Sequence, residues 1–499
     1  MKSKLISLRQ KYSLQKINKT QFFLHAAELY CDNNKPIRAK CLLNKVDSAN
    51  LSCKQSIELI QLTKKVDNKI ASHSQSNTCA LTMIVKNEQD NIAGSLDSIE
   101  SFMDEIVITD TGSTDNTIQY IELYGVTVIR SQWQDDFSLA RNEAIDACTS
   151  RWIMWMDADD RFEEGSIKSL LNVITVGKKQ GAAFCIVNER NNNTPVNFLQ
   201  VRLFPRLDTI RFEQKIHEQI MYSLKRSEIP FSTHPEIRIR HLGYKNPDVA
   251  KKKAKRNIRL LHREIKNNPY DSILHMNLAD CYFLIGKKNY AKKWYLRVVE
   301  NRQILMTNPD AYNQSLINIA LIYYHKNELD MAQSYLLQCL NSDSKRNDVY
   351  FYLGKIFLYK KDDYKALEYF QKSATIEPGL RMTPIDTSKI KLNSVYHISE
   401  ILISKNLYNK SLNIINAAVA QYPNVPEFYS QMGKILARQN KFREAVYYLK
   451  ISLQLNSSNN NEAMKVLHEI RNKINDPQVD RHRSISVFST SKSNALKTY

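Results

Sequence analysis

Long apolar runs are missing from this chain. Nowhere in its 499 residues does a hydrophobic stretch approach the roughly 18 residues that a membrane-spanning helix needs. Glycine and proline are scarce, 11 and 13 in all, which excludes collagen-like and low-complexity organisation. The eight cysteines, at 31, 41, 53, 79, 148, 185, 281 and 339, form no C-x-x-C pair. Scattered through apolar segments of a long chain, they read as buried thiols rather than as a disulfide framework or a zinc site. The opening Met1-Lys-Ser-Lys-Leu-Ile-Ser-Leu-Arg-Gln10 has no apolar core of signal-peptide length. A soluble, cytoplasmic protein without a transmembrane segment is expected.

Apolar residues make up 43% and charged residues 24%, values of a folded chain long enough for about three domains. The net charge is +20, which suits an anionic substrate, nucleic acid or an anionic membrane surface. The densest basic stretch, Lys251-Lys-Lys-Ala-Lys-Arg256 with Arg259, Arg263 and Lys266, reads as the solvated face of a connecting helix. No nucleic-acid-binding signature accompanies it, so no nucleic acid partner is expected. Peripheral contact with a membrane surface stays open.

The C-terminal half repeats itself. From the small residue Ala279, Ala291 follows 12 positions on and Tyr295 follows 16 on. The same offsets link Ala320 to Ala332 and Leu336, Gly354 to Ala366 and Phe370, Ser399 to Ser411 and Ile415, and Gly433 to Ala445 and Leu449. Anchors Ala320 and Gly354 are 34 apart, as are Ser399 and Gly433. Period and pattern resemble the tetratricopeptide repeat, a helix-turn-helix unit that buries its apolar face by stacking on neighbours. Five units from about 270 to 457 are expected. Ala27, Tyr30, Ala39 and Leu43 keep the same offsets near the N-terminus, and a further helix is expected over 54–70. This short helical segment cannot build a sizeable core alone and should pack against a neighbour. Residues 71–78 read as a polar linker.

Between 79 and 245 the pattern changes to strands alternating with helices. Cys79–Val85, Glu105–Asp110, Val126–Ile129 and Trp152–Met156 read as strands, with helices over 90–103, Thr114–Leu123 and Phe137–Cys148. This βαβ spacing predicts a mostly parallel sheet covered on both faces, whose ligands gather at the carboxyl ends of the strands. Those ends are polar: Lys86-Asn87-Glu88, then Asp110-Thr-Gly-Ser-Thr-Asp-Asn-Thr117, then Asp157-Ala-Asp159 with Asp160. Asp115 and Asn116 read as helix caps, Phe137 and Ala140 as core, and Trp152 and Trp155 as sheet packing. Two carboxylates one residue apart at a turn offer hard oxygen ligands to Mg²⁺ or Mn²⁺.

Met83-Ile-Val-Lys-Asn-Glu88, the Asp110–Thr117 segment and Asp157-Ala-Asp159 as a D-x-D motif resemble the GT-A catalytic domain of family 2 glycosyltransferases. Trp133-Gln-Asp-Asp-Phe-Ser-Leu-Ala-Arg-Asn142, Arg202-Leu-Phe204, Phe212-Glu-Gln-Lys-Ile-His-Glu218 and His241-Leu-Gly-Tyr244 add subgroup signatures. With repeats behind the domain, the chain resembles enzymes that glycosylate bacteriocin peptides on cysteine or serine, and also lipopolysaccharide-core transferases. The expected layout is an N-terminal helical segment and linker (1–78), an α/β, Rossmann-like GT-A domain (79–245), an all-α tetratricopeptide-repeat solenoid (246–475) and a disordered tail (476–499).

The resemblance implies roles. Glu88 and Asp110 would hold the base and ribose of a nucleotide-sugar, the expected donor being a UDP-sugar. Asp157 would contact ribose or metal, and Asp159 would ligate the Mn²⁺ or Mg²⁺ on the diphosphate. Arg141 and Asn142 would lie near the donor, Glu218 would be the general base, His217 a further substrate contact and His241 a further metal ligand. His217 could equally be a structural, hydrogen-bonded histidine. The implied reaction inverts the anomeric carbon in one displacement, with a peptide or protein acceptor recruited by the repeats. Two alternatives stand beside it: transfer in lipopolysaccharide or capsule assembly, and a repeat scaffold whose catalytic domain is inert. No Trp occurs between Trp155 and Trp294, so the Q-x-x-R-W motif of processive synthases is absent.

Overall fold

The computed structural model describes residues 1–72, 77–188, 196–243, 247–455 and 461–474. Tyr244, residues 73–76 of the expected linker and the expected disordered tail lie outside the described residues. The chain divides into two compact units, Met1–Ile322 with Gly379–Asp386, and Tyr323–Pro378 with Thr387–Tyr499.

The first unit is built on an eight-stranded sheet: β1 (Cys79–Val85), β2 (Glu105–Asp110), β3 (Thr127–Arg130), β4 (Trp152–Trp155), β5 (Asp160–Phe162), β6 (Gly181–Asn188), β7 (Val196–Pro205) and β8 (Phe231–His241). Their spatial order is β3-β2-β1-β4-β7-β6-β8-β5. β3, β2, β1 and β4 run parallel, as the alternating pattern predicts. β7 then enters antiparallel to β4 and β6, β8 pairs parallel with β6, and β5 closes the edge antiparallel to β8. The sheet is thus mixed, with its parallel half placing the ends of β1, β2 and β4 side by side.

The apolar strands sort by alternation. Leu81, Met83, Ile106 and Ile108 face Ile92, Leu96 and Ile99 of one helix, while Ala80, Val107, Ile153 and Trp155 join Ala144 and Ile145 of another in a second core. Trp152 and Trp155 are both buried, so the sheet-packing reading holds. The helix expected from Thr114 starts only at Thr117. The preceding residues are held as a turn, because the Asp110 carboxylate accepts from Gly112 N (3.3 Å) and Ser113 N (3.1 Å) and Gly112 takes φ +100°.

Helices Lys2–Ser13, Lys19–Asp32, Pro36–Leu43 and Cys53–Ser72 form the N-terminal segment; the first was not anticipated. The segment is joined to the sheet through charge. Arg38 and Glu100, both fully buried, pair at 3.1 Å, and Arg9 reaches the same carboxylate at 2.6 Å. The Tyr30 hydroxyl donates to Glu100 at 2.8 Å, and Arg9 stacks 3.6 Å from the Tyr124 ring centroid. Burial alone would push Glu100 up, yet Arg9 and Arg38 hold it below the usual carboxylate range.

Four helical hairpins each lie within one unit: Ser272–Leu284 with Lys288–Glu300 in the first, and Asn347–Tyr359 with Asp363–Thr375, Thr387–Ser404 with Tyr408–Gln421, and Pro426–Arg438 with Phe442–Leu455 in the second; helices Pro309–His325 and Leu329–Ser342 come between the first and second of these in sequence. The small anchors do what their size permits. A Cβ on Gly433 would lie 2.4 Å from Leu449 Cγ, and Ser399 and Ser411 approach closely enough to share a 2.8 Å hydrogen bond. In the second unit His397 stacks on Phe370 at 4.8 Å. Its burial, and then the charge of Lys355, lower its pKa to about 4, against the opposing pull of Glu400. The unfolded chain takes up this proton near pH 6.5, well before the folded one does. Stability contributed by neutral His397 is therefore present above pH 6.5 and lost as pH falls towards 4. Thermal melts between pH 7 and 4 should show a steeper loss for wild type than for His397→Phe, which keeps the stack and removes the titration.

Candidate active site

The ends of β1, β2 and β4 open into a cleft of about 470 Å³ in the first unit. Seven of the nine residues singled out by sequence line it: Glu88, Arg141, Asp157, Asp159, His217, Glu218 and His241. Asp110 and Asn142 do not. Asp110 closes the turn described above, while its neighbour Thr111 reaches the cleft. Asn142 clasps the backbone of Phe212 from both sides, its Nδ2 donating to Phe212 O and its Oδ1 accepting from Phe212 N, each at 2.9 Å. Asp115 accepts from Thr117 N at 3.0 Å in a local cap.

Arg141 is the centre of the arrangement. It projects from helix Phe137–Asp146, is buried, and lies 4.3 Å from the Trp155 ring centroid and 5.4 Å from that of Phe212. Its Nε donates to Glu218 at 2.7 Å and its Nη2 to Asp157 at 2.8 Å. One guanidinium thus joins two residues 61 positions apart in sequence. Burial works to raise the Asp157 pKa, but Arg141, then Arg202, hold it at about 2.

The β4–β5 turn carries the acidic pair. Asp160 N donates to Asp157 O at 3.0 Å, and Asp157 N donates back to Asp160 Oδ2 at 2.9 Å. Asp160 is fully buried and engaged, with Arg202 at 3.0 Å and His241 Nδ1 at 2.9 Å. Asp159 faces the cleft, where burial raises its pKa to about 6; His241 opposes the shift and Asp157, Asp160 and Glu88 add to it. The ligand atoms of Asp159, Asp160 and His241 lie within 4.8 Å of one another. His241 Nδ1 lies 2.9 Å from Asp160 Oδ1 and 3.5 Å from Asp159 Oδ1. Asp159, Asp160 and His241 therefore form a cluster of carboxylate oxygens and an imidazole nitrogen that a divalent cation suits.

Glu218 and His217 ride on the loop Glu213–Gln219, closed by paired backbone hydrogen bonds of 3.0 and 2.8 Å between its end residues. Gln214 and His217 both take left-handed φ, +72° and +56°, a strained conformation that aims Ile216, His217 and Glu218 into the cleft. Burial lowers the His217 pKa, Glu218 works to raise it, and Arg256 lowers it further.

Further lining residues escaped the sequence reading. Phe137, expected in the core, lines the cleft with Trp133, the two rings meeting edge-on at 4.7 Å. Lys253 and Arg256, expected on a solvated face, form part of the wall with Asn257. Their three- and four-residue spacing on a helix was the available signal.

The site is held by its buried ion pairs. Removing one partner of such a pair costs about 3–5 kcal/mol, because the other charge stays buried. Arg202→Met should therefore destabilise the first unit by that order in chelator, and adding Asp160→Asn should restore part of the loss; chemical denaturation of both variants checks this.

Residues 81–236 match the model of glycosyl transferase family 2, and residues 314–346 match that of the tetratricopeptide repeat. A TPR repeat-containing protein of Synechococcus elongatus is 27% identical over 260 residues, covering 51% of this chain and 63% of its own length. The SPbeta prophage-derived glycosyltransferase SunS of Bacillus subtilis is 28% identical over 229 residues, covering 43% of this chain and 53% of its own length. The chain thus spans less than two thirds of either relative. Among solved structures, YrrB, a TPR protein with an unusual peptide-binding site, aligns at 15% identity and a TM-score of 0.33 over 42% of this chain and 97% of its own.

Proposed function

Residues 81–236 being a glycosyl transferase family 2 domain with tetratricopeptide repeats behind it, we propose that the protein is a metal-dependent, inverting glycosyltransferase that moves a sugar from a nucleotide-sugar, expected to be a UDP-sugar, to a peptide or protein acceptor recruited by the repeats. The observation that carries this reading is the meeting of Asp157 and Glu218 on Arg141, in the same cleft at the strand ends that Asp159 lines.

Asp159 and His241, with Asp157 beside them, would hold Mn²⁺ or Mg²⁺. When bound, that ion supplies positive charge to the departing diphosphate. Glu88 reaches the cleft from the end of β1, and its carboxylate accepts from Asn91 at 2.9 Å, which fixes it for a ribose or base contact. Trp133 and Phe137 offer apolar rings to a base or sugar. Glu218 is the general base: one carboxylate oxygen is fixed by Arg141, which orients the group towards an acceptor hydroxyl. As that oxygen attacks the anomeric carbon, Glu218 takes its proton and the bond to the diphosphate breaks. No helix among the described residues is long and apolar enough to cross a membrane.

Two measurements test this. In thermal unfolding with UDP, GDP, dTDP and CMP, each with and without Mn²⁺, one nucleotide should stabilise wild type in a metal-dependent way. A ligand at a hundred times its dissociation constant contributes about 2.7 kcal/mol, and Asp159→Asn should lose that increment. Stabilisation by none of the four would sink the donor reading. Second, Glu218→Gln preserves an acceptor for the Arg141 hydrogen bond but cannot take a proton. It should cut transfer to a serine-containing peptide by about 10²-fold or more with nucleotide affinity unchanged; full activity would remove Glu218 from the mechanism.

A further inference from the structure

Helix Pro247–Asn267 has two basic faces. Lys251, Lys252, Lys255 and Arg259 are exposed, whereas Lys253, Arg256 and Asn257 line the cleft beside Asp157 and Asp159. The cleft's most buried cation, Arg141, already directs its Nε and Nη2 to Glu218 and Asp157. Of the other lysines and arginines in the wall, Lys86 sits exposed at the rim, leaving Lys253 and Arg256 as the half-buried ones. Arg256 directs its Nε and Nη2 to a neutral group, the Asn257 amide oxygen, at 3.2 and 3.1 Å, and its guanidinium lies 5.5 Å from the Phe137 ring centroid. Burial and then Arg256 lower the Lys253 pKa, against the opposing pull of Asp159, Glu88 and Asp157.

We propose that Lys253 and Arg256 form an anion subsite for the diphosphate of the donor, a cationic wall facing the acidic ends of β1 and β4. Naming the anion as a nucleoside diphosphate rests on the donor reading above; the subsite itself rests on the placement of the two cations. A diphosphate set only against Glu88, Asp157 and Asp159 would be repelled. The half-buried ammonium and guanidinium supply the opposite charge from the protein itself, with the guanidinium suited to paired phosphate oxygens. As the bond to the anomeric carbon breaks, charge grows on the departing diphosphate, and fixed cations at that point favour the transition state over the ground state.

The same helix reaches further. Glu264 accepts from Lys215 N at 3.1 Å, holding the loop that carries Glu218, and His262 Nε2 meets the Tyr282 hydroxyl of the first repeat at 2.9 Å. The subsite, the general-base loop and the first repeat therefore share one helix.

The test measures binding, with EDTA present so that only protein cations act. Inorganic pyrophosphate and the four nucleotides are titrated into wild type, Lys253→Gln/Arg256→Gln, each single variant, Arg256→Lys, and Lys252→Gln/Lys255→Gln from the exposed face. Wild type should bind pyrophosphate, the cleft double variant at least tenfold more weakly, and Arg256→Lys within a few-fold of wild type. The exposed-face variant should match wild type, and melting of each free variant identifies any that fails to fold, in which case the single variants decide. Pyrophosphate that binds the cleft variants as tightly as wild type, or not at all without metal, overturns the subsite. Pyrophosphate lost in the cleft variants, with no nucleotide bound by wild type even with Mn²⁺, keeps the subsite and removes the donor reading.

Discussion

Like charges crowd the ends of the parallel strands, and much of the first unit is arranged to hold them there. Glu88, Asp157, Asp159 and Glu218 share one cleft, with Asp160 buried behind. At an effective dielectric of about 20, two unit charges 4 Å apart interact by about 4 kcal/mol, so such a set disperses unless cations are built in. Two guanidiniums do this, on either side of one indole. Arg141 lies 4.3 Å and Arg202 3.8 Å from the Trp155 centroid, each paired to a carboxylate. Trp155 is thus a spacer as well as a core residue, since its ring fixes where both cations can sit. His241 completes the set from the end of β8. Asp159 faces the cleft with His241 Nδ1 at 3.5 Å, and burial raises its pKa to about 6 against that pull.

The strained loop Glu213–Gln219 depends on the same logic of support. Left-handed backbone at Gln214 and His217 costs about 1–3 kcal/mol each, and the loop repays it with contacts from several elements. Phe137 N donates to Lys215 O, Lys215 N to Glu264, and Gln214 Nε2 to Asp271, the residue that caps the first repeat helix. Glu218 therefore sits on a loop clamped between the helix of Arg141 and the start of the repeats. The N-terminal segment is anchored separately by the Arg9–Glu100–Arg38 cluster.

What could be read from sequence and what could not divide along a physical line. Strand ends and repeat anchors are local: an apolar run of 4–7 residues closing on a carboxylate, or two small residues 12 positions apart, is written in neighbouring positions. That made β1, β2, β4 and the repeat helices legible, and with them Glu88, Asp157 and Asp159. Side-chain direction across a fold is not local. Asn142 and Arg141 are adjacent in one motif, yet a helix turns them about 100° apart, and Asn142 goes to the Phe212 backbone while Arg141 enters the cleft. Asp110 ends an apolar strand as Asp157 follows one, but glycine two residues on lets the chain fold back and consume its carboxylate. Arg38 and Glu100 carry no motif at all, because their pairing spans 62 positions.

The basic helix shows the same limit from the other side. Composition sees Lys251–Lys266 as one charged run, and a run of charge is usually solvated. The helical turn breaks it into faces, and only the face with Lys253, Arg256 and Asn257 meets the site. Ala254, Leu261 and Ile265, about a quarter-turn round the helix from that face, are buried, so rotation about the helix axis is fixed by packing and not by the charges themselves. A chain that must bring an anion to a ring of carboxylates cannot take its counter-charges from the strand ends, which the acids already occupy. The next element in sequence is the nearest source. That this element also enters the repeats ties the electrostatics of the cleft to the packing of the first hairpin.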